Sequence, residues 1–316
     1  MASPLADVAA LRLFAFDRVL NYDAATQTIV LLGSFPAADG ASERSPAIVR
    51  IEKAALPVDQ PAALLESAIA DVRLIENNDI YTWLLGWLAP STARPDVKIN
   101  IICPATDVHI RKYTAQKFLV VHETPALYER IVEPYIDAFP ASRTKWVRDI
   151  LEGRSEANKV LHRDSHPEFG YVLLPDMKWD LTTLSSLYLV AIASSPTIRS
   201  LRNLTRAHLP MLKSIRREAH KAVNDKWGLE RGALRLFVHY QPSYYQFHVH
   251  IVNVEYQGLL GMTVGQAHLL DDIISLLELS RDDGPSILAR MTLTYGLGDQ
   301  HGLYEPMRAA QVDLHD

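Results

Sequence analysis

In the first sixty residues the apolar positions come in short strand-like runs. Thr28-Ile29-Val30-Leu31-Leu32 and Ala47-Ile48-Val49-Arg50-Ile51 read as strands, separated by a Pro/Ala/Gly/Ser loop from Pro36 to Pro46. The spacing then changes. Leu64, Leu65, Ile69 and Val72 share one helical face, which predicts a helix from Pro61 to Ile75. Strands are expected at Tyr81–Leu88 and Val97–Cys103, joined by the breaker-rich segment Ala89–Asp96, and Pro104 opens a helix carrying Arg111, Lys112 and Tyr113. Helical intervals recur from Ala126 to Ala138, and Pro140-Ala141-Ser142 breaks them.

Beyond that break the elements mix. The pattern predicts a helix at Trp146–Leu151, a buried strand at Gly170–Pro175 and another apolar run at Leu187–Ala193. A long helix follows from Leu204 to Trp227, with Leu209, Leu212, Ile215 and Ala219 inward. Strands at Leu234–Tyr240 and Phe247–Val254, a helix at Val264–Leu279 and a strand at Met291–Tyr295 complete the chain. No repeat or low-complexity tract interrupts it. The expected fold is α+β with mostly antiparallel strands, divided into an N-terminal α+β domain with its hinge (1–138) and a C-terminal domain (139–316).

Composition narrows the function. The 316 residues carry 32 Lys and Arg against 37 Asp and Glu, a net charge of −5, which argues against gripping a long nucleic acid through its phosphates but leaves room for a nucleotide in a local basic pocket. With 48% hydrophobic and 22% charged residues the chain buries a real core. The single Cys103 permits neither an internal disulfide nor a cysteine-rich zinc site. No signal peptide or membrane-spanning apolar run is read, so a soluble intracellular protein is expected, cytoplasmic with the nucleus left open.

The richest chemistry lies between His239 and His250. On a strand, Gln246, His248 and His250 project to one side while Phe247, Val249 and Ile251 project to the other. A paired strand brings His239 to the same face, so three imidazoles converge on one small volume. Such a cluster suits an anionic ligand, and an imidazole with one free nitrogen attacks phosphorus. A His-x-His pair is also a metal-ligand geometry, and equally a pair of polar positions on a solvent-facing strand. Spacing alone leaves the three readings open.

The flanking residues add a likeness. The run His239-Tyr240-x-Pro242-Ser243-Tyr244-Tyr245-x-x-His248-Val249-His250 resembles the histidine triad motif in the form carried by scavenger mRNA decapping enzymes. Asn78-Asp79-Ile80-Tyr81, Pro104-Ala105-Thr106, Trp146-Val147 with Glu156, Pro175-Asp176-Met177-Lys178-Trp179 and Ser200-Leu201-Arg202-x-Leu204-Thr205 follow in that family's order. The likeness covers the chain from about Asn77 to its end. Taken singly, Trp146 reads as core and Glu156 or Lys178 as solvated surface; joint placement is what gives them weight.

The resemblance implies a cofactor-free, metal-independent hydrolase that splits the triphosphate bridge of 7-methylguanosine caps on dinucleotides or short RNA. It implies His248 as a nucleophile forming a nucleotidyl-histidine, and His239, His250 and Ser243 as phosphate-side groups, with Tyr244 in the same loop. Trp146 matches the stacking partner of the methylated base and Glu156 the acceptor of its N1–H and amine. Pro175, Asp176 and Met177 match the pocket wall, Lys178 and Lys112 the phosphate cations, and Asn78 and Tyr81 the N-terminal lip. The family pattern further implies a homodimer with exchanged N-terminal segments, whose N-terminal domain closes over one site at a time. Two positions depart from it: Gln246 replaces the first triad histidine, and Gln266 stands where some members carry Arg. Gln246 keeps alive a catalytically weakened cap-binding or regulatory relative; a hydrolase for another dinucleoside polyphosphate is the third reading.

Overall fold

The computed structural model describes residues 7–37, 44–54, 56, 61–90, 95–256, 260–281 and 284–312. Residues 38–43 of the expected Pro36–Pro46 loop and 91–94 of the Ala89–Asp96 connection lie outside them. The chain divides into two compact units, Met1–Ala115 and Gln116–Asp316.

The first unit contains β1 (Ala15–Asp23), β2 (Thr28–Pro36), β3 (Arg44–Lys53), β4 (Ile69–Asn78), β5 (Tyr81–Leu88) and β6 (Val97–Ile102). β1, β2, β3 and β6 form an antiparallel sheet in that order. Leu20, Val30, Leu32 and Ile48 pack on Ile110 and Tyr113 of the helix Asp107–Tyr113, and Phe35, Ala47 and Val49 make a smaller cluster with Phe14 and Ile101.

β4 and β5 form a separate two-stranded ribbon. Here the expected helix from Pro61 to Ile75 is corrected: helical turns end at Ala68, and Ile69 begins β4. Ile69, Val72 and Ile75 are β-branched, and a partner strand is available two residues beyond β4, pairing Val72 with Gly86 and Leu74 with Leu84. Apolar positions in a short run fit both periods, and the pairing partner decided between them.

The second unit contains β7 (Phe118–Glu123), β8 (His162–Asp164), β9 (Tyr171–Pro175), β10 (Tyr188–Ala193), β11 (Leu234–His239), β12 (His248–Asn253), β13 (Ala267–Leu269) and β14 (Leu293–Gly298). Six of these make one antiparallel sheet, ordered β13-β11-β12-β10-β9-β8, while β7 pairs with β14. Every residue of β9, β10 and β12 is buried, because both faces are covered. The helix Leu209–Trp227 buries Met211, Leu212, Ile215, Ala219 and Val223 in the main core, together with Leu173, Ala191, Val249 and Ile251. On the other face Val147 and Ile150 of the helix Lys145–Leu151 pack on Val172, Leu174, Val190 and Ile192.

Several boundaries move. The helix expected from Leu204 starts at Leu209, after the single turns Leu201–Asn203 and Arg206–His208, and stops at Gly228, whose φ of +69° favours glycine. The helix expected from Val264 is Leu270–Leu279, preceded by the edge strand β13. β1, β7 and the helix Tyr304–Val312 were not legible from the pattern. The segment 116–138, assigned from sequence to the first domain and its hinge, packs within the second unit: Val121, Leu127, Val132 and Ile136 join its core.

Candidate active site

Register builds the histidine cluster. His248 and His250 occupy alternate positions of β12, opposite Ile192 and Val190, and therefore face the side covered by the helix Lys145–Leu151. β11 pairs Phe237 with His250, which leaves His239, two residues on, beside the same ring. Ring centroids are 4.2 Å apart for His239 and His250 and 4.8 Å for His248 and His250. Phe237 stacks on His250 at 5.3 Å and forms the apolar floor.

A hydrogen bond selects the tautomer of His248. Nδ1 of His248 lies 2.7 Å from the backbone carbonyl of Gln246, which only accepts, so Nδ1 carries the proton and Nε2 keeps its lone pair. Nδ1 of His250 lies 3.0 Å from the Tyr188 hydroxyl, and that hydroxyl accepts from Lys178 Nζ at 3.4 Å. The Tyr188 hydroxyl thus links the His250 ring to the Lys178 ammonium and fixes the ring's orientation.

Nε2 of His239, His248 and His250 is in each case buried without a hydrogen-bond partner. Buried polar atoms are nearly always paired, so the unpaired Nε2 atoms of His248 and His250, on rings 4.8 Å apart, mark a place suited to a polar ligand, while Nε2 of His239 lies against Gly261. Burial pulls the imidazoles of His239 and His248 down to about 4, and holds His250 well below the usual range; the Lys178 ammonium adds to each. All three are neutral at pH 7, the form in which an imidazole is nucleophilic.

Of the residues expected on the base and phosphate side, all but Asn78, Tyr81 and Lys112 belong to the second unit, and Tyr244, Trp146 and Lys178 are tied to this cluster by contacts. Tyr244 stacks on His248 at 4.2 Å, nearly parallel, and meets the edge of Trp146 at 5.0 Å. Trp146 is 47% exposed although Val147 and Ile150 of the same helix are buried. Ser243 is exposed at the tip of the same loop. Pro175 ends β9 in the core; Asp176 then caps a turn by accepting from the Lys178 backbone N–H at 2.9 Å, which leaves Met177 93% exposed. Lys178 lies 4.8 Å over the Tyr188 ring. Glu156 has φ +54°, a region that favours glycine, and pairs with Lys159 at 3.2 Å. Asn78, Tyr81 and Lys112 belong to the first unit: Asn78 and Tyr81 close the exposed end of the β4–β5 ribbon, and Lys112 lies on the helix Asp107–Tyr113.

Both departures have structural uses. Gln246 donates from Nε2 to the carbonyls of Ala193 and Ser195 at 2.6 and 2.9 Å, tying β10 to the start of β12. Gln266 donates to the Gly296 carbonyl at 2.6 Å. Sequence reading missed Tyr188, which no motif marks, and Arg199, which lines a small cleft with His239, Gln246 and His248 while pairing with Asp137. Among the described residues no group of three or more His, Cys, Asp or Glu forms a metal-holding cluster, and no helix is long and apolar enough to cross a membrane.

Fold and site together define a two-unit α+β protein that presents neutral imidazoles on one face of an antiparallel sheet. Residues 9–116 match the model described as scavenger mRNA decapping enzyme (DcpS) N-terminal, and residues 145–264 the model described as scavenger mRNA decapping enzyme C-term binding. The chain is similar to the m7GpppX diphosphatase of Schizosaccharomyces pombe (35% identical, 96% of this chain and 97% of the relative). It is also similar to the human one (34%, 94% and 86%) and that of Caenorhabditis elegans (35%, 93% and 90%). The chain belongs to the scavenger mRNA decapping enzyme family.

Proposed function

We propose that this protein hydrolyses the triphosphate bridge of 7-methylguanosine cap dinucleotides and short capped oligonucleotides, through a covalent nucleotidyl-histidine on His248. The observation that carries the reading is the buried, unpartnered Nε2 of His248, which keeps its lone pair, beside the ring of His250, whose Nε2 is equally buried and unpartnered. In the first step His248 Nε2 attacks the phosphorus next to methylguanosine. An N–P bond forms, the bridging P–O bond breaks, and the product ending in a diphosphate leaves. Water then attacks the same phosphorus, the N–P bond breaks and 7-methyl-GMP is released. His250 and His239 donate toward the phosphate oxygens as charge develops, and Ser243 adds a donor from the loop.

Base selection is assigned to the exposed apolar side chains. N7-methylation makes guanine cationic, so Trp146 gains stacking and cation–π attraction, with Met177 against the other face. Glu156 accepts from N1–H and the amine, with Pro175 and Asp176 on the same wall; Lys178 serves the phosphates. Asn78, Tyr81 and Lys112 are assigned to the substrate from the first unit.

A homodimer is part of the proposal. All of β4 except its first residue and all of β5 except its last are exposed, including Val72, Leu74, Trp83, Leu84 and Trp87. A two-stranded ribbon is marginal by itself, and apolar side chains exposed on both of its faces call for a cover, which a second copy supplies. A cytoplasmic location, with the nucleus as alternative, suits the exposed free thiol of Cys103.

The test is to incubate the protein with a methylated cap dinucleotide in EDTA and follow release of 7-methyl-GMP. Turnover with preference for the methylated cap is expected. Tight binding without turnover would replace the enzyme by a binding protein, and loss of activity in EDTA would return the metal reading of His248 and His250.

A further inference from the structure

Glu123, the last residue of β7, is wholly buried and meets only donors. Its Oε1 accepts from the Tyr240 hydroxyl at 2.7 Å and from Nε and Nη2 of Arg202 at 3.0 and 2.9 Å. Its Oε2 accepts from the Tyr295 hydroxyl at 2.7 Å and from Gln241 Nε2 at 3.0 Å. Arg202 is buried as well, and its Nη1 donates to the carbonyls of Leu288 and Met291 at 2.9 and 2.6 Å. A buried charge pair of this quality is fully satisfied, yet ion pairs of this kind seldom improve stability over an apolar isostere. Its geometry therefore asks for another use.

The neighbours of Glu123 suggest one. Tyr240 and Gln241 directly follow His239, and they open the loop that carries Ser243 and Tyr244. The Gln241 amide reaches both ways: Nε2 faces Glu123, and Oε1 accepts from the Tyr245 hydroxyl at 3.3 Å. Pro242, Ser243 and Tyr244 lie between those two residues, so the Gln241–Tyr245 contact closes the loop at its base. An amide has nearly symmetric ends, and a flipped Gln241 would set its oxygen against the carboxylate. The carboxylate thus dictates which end faces Tyr245.

We infer that Glu123 is a positioning residue for the decapping reaction: through Gln241 and Tyr245 it holds the Ser243–Tyr244 loop against His248. The inference rests on the reading of Ser243 and His248 as phosphate-side groups. Replacing Glu123 by Gln keeps the volume but turns a donor toward donors, and that variant is expected to lose both stability and rate. Tyr245→Phe and Gln241→Met are gentler, because Glu123 keeps Arg202, Tyr240 and Tyr295 in each.

The experiment uses the full-length protein with a methylated cap dinucleotide, well below each variant's melting temperature. For Tyr245→Phe and Gln241→Met, kcat is expected to fall at least tenfold while KM stays within threefold and cap-induced quenching of tryptophan fluorescence is unchanged. A purely structural role would leave kcat within twofold in folded variants, or lower kcat and weaken binding in parallel with the melting temperature; either result overturns the inference. His248→Asn is run beside them. If that variant still turns over, the nucleophile reading fails; if it is inactive while Gln241→Met and Tyr245→Phe are unimpaired, only the positioning role fails.

Discussion

The hydroxyl of Tyr188 stands between Lys178 Nζ and Nδ1 of His250, 3.0 Å from the imidazole. The arrangement orients the ring without charging it. Tyr188→Phe removes only the hydroxyl. The expected result is a five- to tenfold loss of kcat with little change in KM, because one net hydrogen bond is worth about 1 kcal/mol. Steady-state kinetics on a cap dinucleotide measure it, and an unchanged kcat would mean that His250 is oriented by its packing on Phe237 alone.

His248→Asn removes the attacking lone pair but keeps a side chain able to hydrogen-bond the Gln246 carbonyl. Release of 7-methyl-GMP is expected to drop by roughly 10³ or more, with cap affinity retained in a fluorescence titration.

The pH dependence follows from burial. In the unfolded chain a histidine titrates near its model value of 6.5, whereas His239 and His248 are held down to about 4 in the folded protein. Below pH 6.5 the unfolded state binds protons that the folded state refuses. Their contribution to stability is therefore full above about pH 6.5 and is lost as pH falls through about 4. Melting temperature should decline progressively on acidification across that window. The rate should behave differently: kcat/KM, which reports the free enzyme, should stay level to about pH 5 and fall toward pH 4. An inflection near 6.5 would contradict a buried neutral nucleophile.

Trp146 is half out of the core, so Trp146→Ala should fold normally. Loss of one stacking face should weaken the methylated cap by about 1–3 kcal/mol and narrow its advantage over the unmethylated cap. Equilibrium titration with both ligands checks this; an equal loss for both would remove the cation–π contribution.

Charges placed on the ribbon test the dimer. Trp83→Glu with Leu84→Lys alters exposed side chains of β5 on both of its faces. Light scattering after size exclusion should give one chain's mass for the variant and two for the parent. A parent of single mass would remove the dimer from the proposal.

Much of the catalytic unit was legible because its signals are local. Alternation placed Gln246, His248 and His250 on one face, and β12, which begins at His248, keeps it for the two histidines since the pleat repeats every two residues. The buried runs at β9 and β10 read as strands because both faces of those strands are covered. At Pro61–Ile75 the same reasoning failed: apolar residues there fit a helix until β5 offers a partner.

By itself, then, the sequence determined the α+β class, the faces of the central strands and the histidines that share one of them, all properties of neighbouring residues and their periods. Tertiary structure alone decided which distant groups meet them. The Tyr188 hydroxyl reaches His250 only through the register of β10 on β12, and Arg202 reaches Glu123 only once the core has closed around both. The first contact orients the His250 ring, and burial sets the neutral charge state of the cluster. Burial and hydrogen-bond direction arise from the packed fold, and no local pattern encodes them.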